Sequence, residues 1–135
     1  MASHAKRVLI VDDSMDDVFL LHRALRRSGV EHVHSITSGA EAAKFVSGLA
    51  PYQYEIPPEI IFTDLHMNQV DGLELVRWLK RDPLLKNIPV IVLSGSHDPK
   101  KSEEIIEAGA TAIYQKPSKH KDLVTLVGTI VQERF

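Results

Sequence analysis

The chain has 135 residues, 44% hydrophobic and 25% charged, which suits one globular domain of ordinary composition and leaves no room for a second. Its 16 Lys and Arg against 18 Asp and Glu give a formal charge of −2, so net charge does not support a polybasic nucleic-acid or membrane binder. There is no cysteine, which excludes disulfides, thiolate zinc sites, iron–sulfur clusters and cysteine nucleophiles.

Residues 1–6 read as a flexible lead, and Met1 to Arg7 lacks the apolar stretch of a signal peptide. No apolar run approaches the ~20 residues of a membrane span. The expectation is a soluble cytoplasmic domain that contacts neither nucleic acid nor membrane. Val8-Leu9-Ile10-Val11, stopped by Asp12-Asp13, reads as a strand buried on both faces. Val18, Leu21 and Leu25, flanked by Phe19, then recur at helical spacing up to Arg27-Ser28-Gly29; Ser14, Asp16 and Asp17 suit the first turn and the glycine suits the stop. His32 to Ile36 is a second, more polar strand. Ser38-Gly39-Ala40-Glu41 opens a helix running to about Leu49, with Ala42, Phe45, Val46 and Leu49 as its apolar residues.

Ala50 to Pro58, with three prolines and two tyrosines, is a loop. Ile60 to Thr63 forms a third strand ending at Asp64. A helix follows from Gly72 to about Arg81, facing inward through Leu75, Val76 and Leu79 with Leu73 and Trp78 at the margins, and Asp82-Pro83 ends it. Val90 to Leu93 is a strand stopped by Ser94-Gly95-Ser96, and Pro99 to Ala108 a helix closed by Gly109. Thr111 to Gln115 is a fifth strand. Leu123, Leu126, Val127, Ile130 and Val131 mark a final helix. Five alternations of strand and helix predict an open, doubly wound parallel sheet covered on both faces, since five units are too few to close an eight-fold barrel.

In such a sheet ligands sit outside the carboxyl ends of the strands. Those ends carry Asp12-Asp13, Asp64, Ser94 and Lys116-Pro117. Any single aspartate there could be a helix cap, and Asp13-Ser14 is a plausible one, but coincident caps do not explain the lysine. Crowded carboxylates raise one another's pKa unless a cation joins them, and hard oxygen donors suit Mg²⁺. A carboxylate can attack phosphorus, and an ammonium with Mg²⁺ can neutralise the oxygens in transfer. The set therefore suits a side-chain aspartyl phosphate.

Leu9-Ile10-Val11-Asp12-Asp13, then Thr63-Asp64-Leu65-His66-Met67 followed by Asp71-Gly72, then Leu93-Ser94-Gly95 and Lys116-Pro117, resemble in order the receiver domain of two-component response regulators over essentially the whole chain. The resemblance implies a flavodoxin-like five-stranded sheet of order 2-1-3-4-5 with five helices. It implies that Asp64 accepts a phosphoryl group from a sensor histidine kinase, and that Asp13, Asp64 and the backbone carbonyl of His66 bind Mg²⁺ with help from Asp12. Lys116 and Ser94 would contact the phosphoryl group and report it to the surface. The chain would then be a signalling phosphoacceptor, catalysing only its own phosphorylation and dephosphorylation. Asn68 stands where receivers usually carry proline, and Ile113 where many carry the switch aromatic, with Tyr114 beside it on the opposite face. His66 and Ser96 occupy positions that influence the phosphoryl lifetime. The loop 50–58, Asp82 to Pro89 and Ser96-His97-Asp98 resemble the stand-alone receivers that serve phytochrome-type kinases, some of which form homodimers. As the sequence stops at Phe135 without an output domain, it is expected to act on a downstream protein or a phosphotransfer protein.

Other features read as structure. His32 and His34 share one face of a strand but lack a third ligand nearby. Lys100-Lys101 and Lys119-His120-Lys121 read as solvated faces, and His97 as a surface histidine. A dehalogenase-type phosphatase would need an aspartate at position 66, where histidine stands. A dinucleotide fold would need a glycine-rich turn where Asp12-Asp13 stand.

Overall fold

A computed structural model describes residues 6–53, 55–67, 70–95 and 98–135. Strands β1 (Arg7–Val11), β2 (His32–Ile36), β3 (Ile60–Asp64), β4 (Val90–Ser94) and β5 (Ala112–Gln115) alternate with helices α1 (Met15–Arg27), α2 (Gly39–Ser47), α3 (Gly72–Arg81), α4 (Pro99–Ala108) and α5 (His120–Arg134). All strand pairs are parallel, in the order β2-β1-β3-β4-β5. The expected doubly wound sheet with five helices is thus present.

Strand pleating divides the core in two. Leu9, Val11, Ile61, Val90 and Val92 point toward α2, α3 and α4, where they pack with Phe45, Leu75, Val76, Leu79 and Ile105. Val8, Ile10, Ile60, Phe62, Ile91 and Leu93 point the other way, onto Leu21 and Leu25 of α1 and Val127 and Ile130 of α5. Each such side chain contributes about 1.5–3 kcal/mol when fully buried. The three inner strands are therefore apolar through their middles, whereas edge strand β2 exposes His32, His34 and Ser35. The His34 ring stacks on Phe45 at 4.6 Å between centroids.

Side chains cap four of the five helices: Ser14, Ser38, Asp71 and Asp98 accept from the first-turn N–H groups of α1, α2, α3 and α4. Helix α2 stops at Ser47, before the Leu49 expected from apolar spacing. Gly48 turns left-handed at φ 69°, the Leu49 N–H closes onto the Lys44 carbonyl at 3.0 Å, and the Leu49 side chain is left exposed. The chain is pinned again by Tyr52, whose hydroxyl donates to Glu41 at 3.0 Å. Helix α5 starts earlier than its apolar stripe, at His120. That histidine, expected on a solvated face, has both ring nitrogens buried. Strands β3 and β4 run one residue further than the expected ends at Thr63 and Leu93, placing Asp64 opposite Leu93 and Ser94 opposite Gln115 in the ladder.

The sheet order reverses direction between β1 and β3, so a crevice opens at their carboxyl ends. Helix α3 is drawn against this edge through Gly72, whose N–H donates to the Leu65 carbonyl at 2.9 Å. A Cβ at Gly72 would overlap the Asp64 carbonyl oxygen and lie 3.0 Å from Leu65 Cα, whereas one at Gly95 would meet open space. Gly72→Ala is expected to lower stability by about 1–3 kcal/mol despite alanine's better helix propensity, because the backbone of β3 cannot yield. Gly95→Ala should stay within about 0.5 kcal/mol of the unsubstituted protein. Urea unfolding of the two variants checks this, and a Gly72→Ala midpoint at or above that of Gly95→Ala would contradict it.

Candidate functional site

Chain segments from four strand ends meet at the crevice. Asp12 follows β1 and is 3% exposed. Its N–H extends the ladder to the Ile36 carbonyl at 3.1 Å, and its Oδ1 accepts from the Ser14 N–H at 2.9 Å. That bond turns the chain out of the sheet, so Asp13 is exposed and Ser14 caps α1. Asp64 closes β3. Carboxylate oxygens of Asp12, Asp13 and Asp64 all lie within 4.8 Å of one another.

Lys116 arrives from the far side of the sheet, just after β5. Its backbone N–H donates to the Ser94 carbonyl at 2.7 Å, which ties it to the end of β4. Its ammonium Nζ lies 2.7 Å from Asp17 Oδ2, 3.0 Å from Asp12 Oδ2 and 3.2 Å from Asp64 Oδ1. Burial disfavours this ammonium, but the hydrogen bonds it donates to Asp17 and Asp12 and the charges of Asp12 and Asp64 outweigh it and hold the lysine protonated above its ordinary range. At Asp64 the balance tips the other way. Burial raises its pKa most, Lys116 opposes that, and the neighbouring Asp12 charge raises it again. The lysine thus does not offset the burial of Asp64, a condition that a hard divalent cation relieves. Three close carboxylates, one deeply buried and one exposed to solvent, suit an ion that keeps waters or phosphate oxygens in its remaining positions.

Asp12, Asp13, Asp64 and Lys116 are thus brought together as expected. Ser94 is 1% exposed at the end of β4, beside the strand that carries Asp64. His66 is exposed in the connection from β3 to α3. Ile113 packs with the α2–α4 cluster and Tyr114 with the α1–α5 cluster, so the two face opposite sides of β5. Asn68, Ser96 and His97 lie outside the described residues. Asp17, read from sequence only as a favourable charge in the first turn, is a partner of the pocket lysine. A signal for it exists: Ser14 as the cap makes Asp17 the third helical residue, which faces back across the cap toward the strand end.

A model of the response regulator receiver domain matches residues 8–128. The chain is similar to the two-component response regulator ORR1 of Oryza sativa subsp. japonica, 36% identical over 89% of this chain and 53% of the rice protein, so it spans about half the length of that relative. It is also similar to the response regulator Rcp1 of Synechocystis sp., 31% identical over 90% of this chain and 84% of that one. The solved Mn²⁺-bound form of Rcp1 superimposes with a TM-score of 0.84, covering 93% of this chain and 91% of that one. The crystal structure of the phosphorylated cyanobacterial phytochrome response regulator RcpA gives 0.91, at 29% identity over 97% and 94% of the two chains.

Asp64 should therefore cost stability when it ionises in the absence of a divalent ion. Its folded pKa lies above that of the unfolded chain, so its favourable contribution is present below the unfolded value and lost as pH rises through the folded one. In EDTA, Asp64→Asn is expected to resist urea better than the unsubstituted protein, with an advantage that grows from acid toward neutral pH. An advantage that shrinks as pH rises would show that ionised Asp64 is stabilised by its surroundings.

Proposed function

The chain belongs to the response regulator receiver domain family, and from that premise we propose that Asp64 is its phosphoacceptor, loaded by a sensor histidine kinase. The observation that carries the reading is the 3.2 Å approach of the Lys116 ammonium to Asp64 at a pocket edge where Asp12 and Asp13 also converge. A structural cap needs no lysine, and an apolar core disfavours four charged side chains at one edge. A carboxylate meant to take up a phosphoryl group needs both a cation site and an ammonium beside it.

In this reading the carboxylates of Asp12, Asp13 and Asp64, with the backbone carbonyl of His66, hold Mg²⁺, which supplies positive charge to the phosphoryl oxygens in flight. An Asp64 carboxylate oxygen attacks the phosphorus of a phosphohistidine. The new O–P bond forms as the P–N bond breaks, and the imidazole nitrogen leaves with the bonding pair and takes a proton from water. Lys116 pairs with one phosphoryl oxygen of the product and the Ser94 hydroxyl donates to another. Because the Lys116 N–H is bonded to the Ser94 carbonyl, the ends of β4 and β5 respond together. Ile113, rather than an aromatic, occupies the position beyond that switch, so the signal passes to the α4 side through packing. Hydrolysis of the acyl phosphate ends the signal, and turnover is limited to the chain's own side chain. In this reading the rates of that cycle are set partly by His66 and Ser96.

The likeness to RcpA supports a phytochrome-type kinase as the phosphoryl donor. The proposed reader is a downstream protein or a phosphotransfer protein, and the proposed form that presents the switched surface is a homodimer. Among the described residues no helix is long and apolar enough to cross a membrane. Acetyl phosphate with Mg²⁺ is expected to add one phosphoryl group per chain, labile to alkali, and EDTA or Asp64→Asn should abolish it. Mass spectrometry of the intact protein checks this. Equal labelling of the Asp64→Asn variant would remove Asp64 from the acceptor role.

A further inference from the structure

The shortest of the three carboxylate contacts to the Lys116 ammonium comes from a residue that phosphoryl transfer does not require. Asp17 Oδ2 lies 2.7 Å from Nζ, closer than Asp12 at 3.0 Å or Asp64 at 3.2 Å, and within the range of a charge-assisted hydrogen bond. The three partners differ in what losing the lysine would leave behind. The side chains of Asp12 and Asp64 are 4% and 11% exposed, so withdrawal of the ammonium would strand a desolvated charge. Asp17 is 42% exposed, and water can take over its carboxylate at little cost. Asp17 is therefore the exchangeable partner.

The surroundings restrict where the ammonium can go. A small cavity of about 50 Å³ beside Asp17 and Lys116 is walled by Leu20, Leu21, Leu93 and Leu123, which offer it no acceptor. Asp17 itself is anchored, since its N–H donates to the capping Ser14 hydroxyl at 3.3 Å. Besides solvent, the ammonium already has the oxygens of Asp12, Asp17 and Asp64 within reach.

We propose that Asp17 is a positioning residue that holds the Lys116 ammonium at the rim of the pocket in the unphosphorylated state and yields it to the phosphoryl group on Asp64. The proposal rests on Asp64 being the phosphoacceptor. An acyl phosphate adds charge and three acceptor oxygens at Asp64, and Lys116 exchanges the Asp17 oxygen for one of them. Asp17 thereby sets a threshold: the phosphorylated arrangement must outcompete a carboxylate already in contact.

The test is beryllofluoride affinity, measured calorimetrically on the full chain with saturating Mg²⁺. This anion mimics a phosphoryl group on a carboxylate and separates binding from turnover. Asp17→Asn removes the competing acceptor and is expected to tighten binding by about threefold or more. Asp16→Asn makes the same charge change one residue away, on an exposed side chain that forms no ion pair with Lys116, and should shift affinity by less than about twofold. In a Lys116→Met background, which binds more weakly, Asp17→Asn should have no further effect. Equal tightening by the Asp16 and Asp17 variants would overturn the proposal in favour of a general field effect. So would tightening by Asp17→Asn that persists without Lys116, or none at all in a protein that binds the anion. If the unsubstituted protein does not bind beryllofluoride, or Asp64→Asn binds it equally well, the phosphoacceptor reading fails, and this proposal with it.

Discussion

The ion pairs that Lys116 makes with Asp12, Asp17 and Asp64 join the ends of β1 and β3 and the first turn of α1 to the segment after β5. One side chain thereby links residue 116 to residues 12, 17 and 64. Its energetics are uneven. Breaking a buried pair by removing one partner costs about 3–5 kcal/mol, because the other charge is left desolvated, while an exposed pair is worth about 0–1 kcal/mol. Asp12 sits at the first extreme and Asp17 near the second. The lysine is thus held firmly at one end and loosely at the other, which suits the proposed exchange of acceptors.

The sheet makes this crowding possible. Three inner strands with buried apolar middles give a rigid frame, packed on two sides by separate clusters. Parallel pairing aligns all the carboxyl ends on one edge, so each strand delivers its terminal polar residue to a common place. Asp12 is held by a backbone N–H as well as the ammonium, and Gly72 lets α3 close against the backbone of Asp64. The carboxylates are therefore preorganised, and the burial of Asp64, with the neighbouring Asp12 charge, keeps its pKa raised. A divalent ion meets a site already formed.

Much of this was legible in the sequence. The β-branched apolar runs and their abrupt polar stops located the strands, and the stops themselves named Asp12, Asp13, Asp64, Ser94 and Lys116. Periodicity failed where a single backbone conformation decides the outcome: Gly48 ends α2 by turning left-handed, although apolar spacing continues to Leu49. It failed again at His120, whose burial depends on tertiary packing at the start of α5. Asp17 was hidden for a different reason. A first-turn aspartate already has a local explanation in the helix dipole, and its tertiary partner lies near the other end of the chain. Side-chain alternation along β5 did carry over, with Ile113 and Tyr114 on opposite faces of the sheet.

The most direct measurement is a crystal structure with beryllofluoride and Mn²⁺ in place of Mg²⁺, the metal located by its anomalous scattering. The expected map shows the ion bound by the carboxylates of Asp13 and Asp64, beryllium on an Asp64 oxygen, and the Lys116 ammonium against a fluorine. An ion bound away from these aspartates, or an unmodified Asp64 with Lys116 turned out of the crevice, would contradict the account.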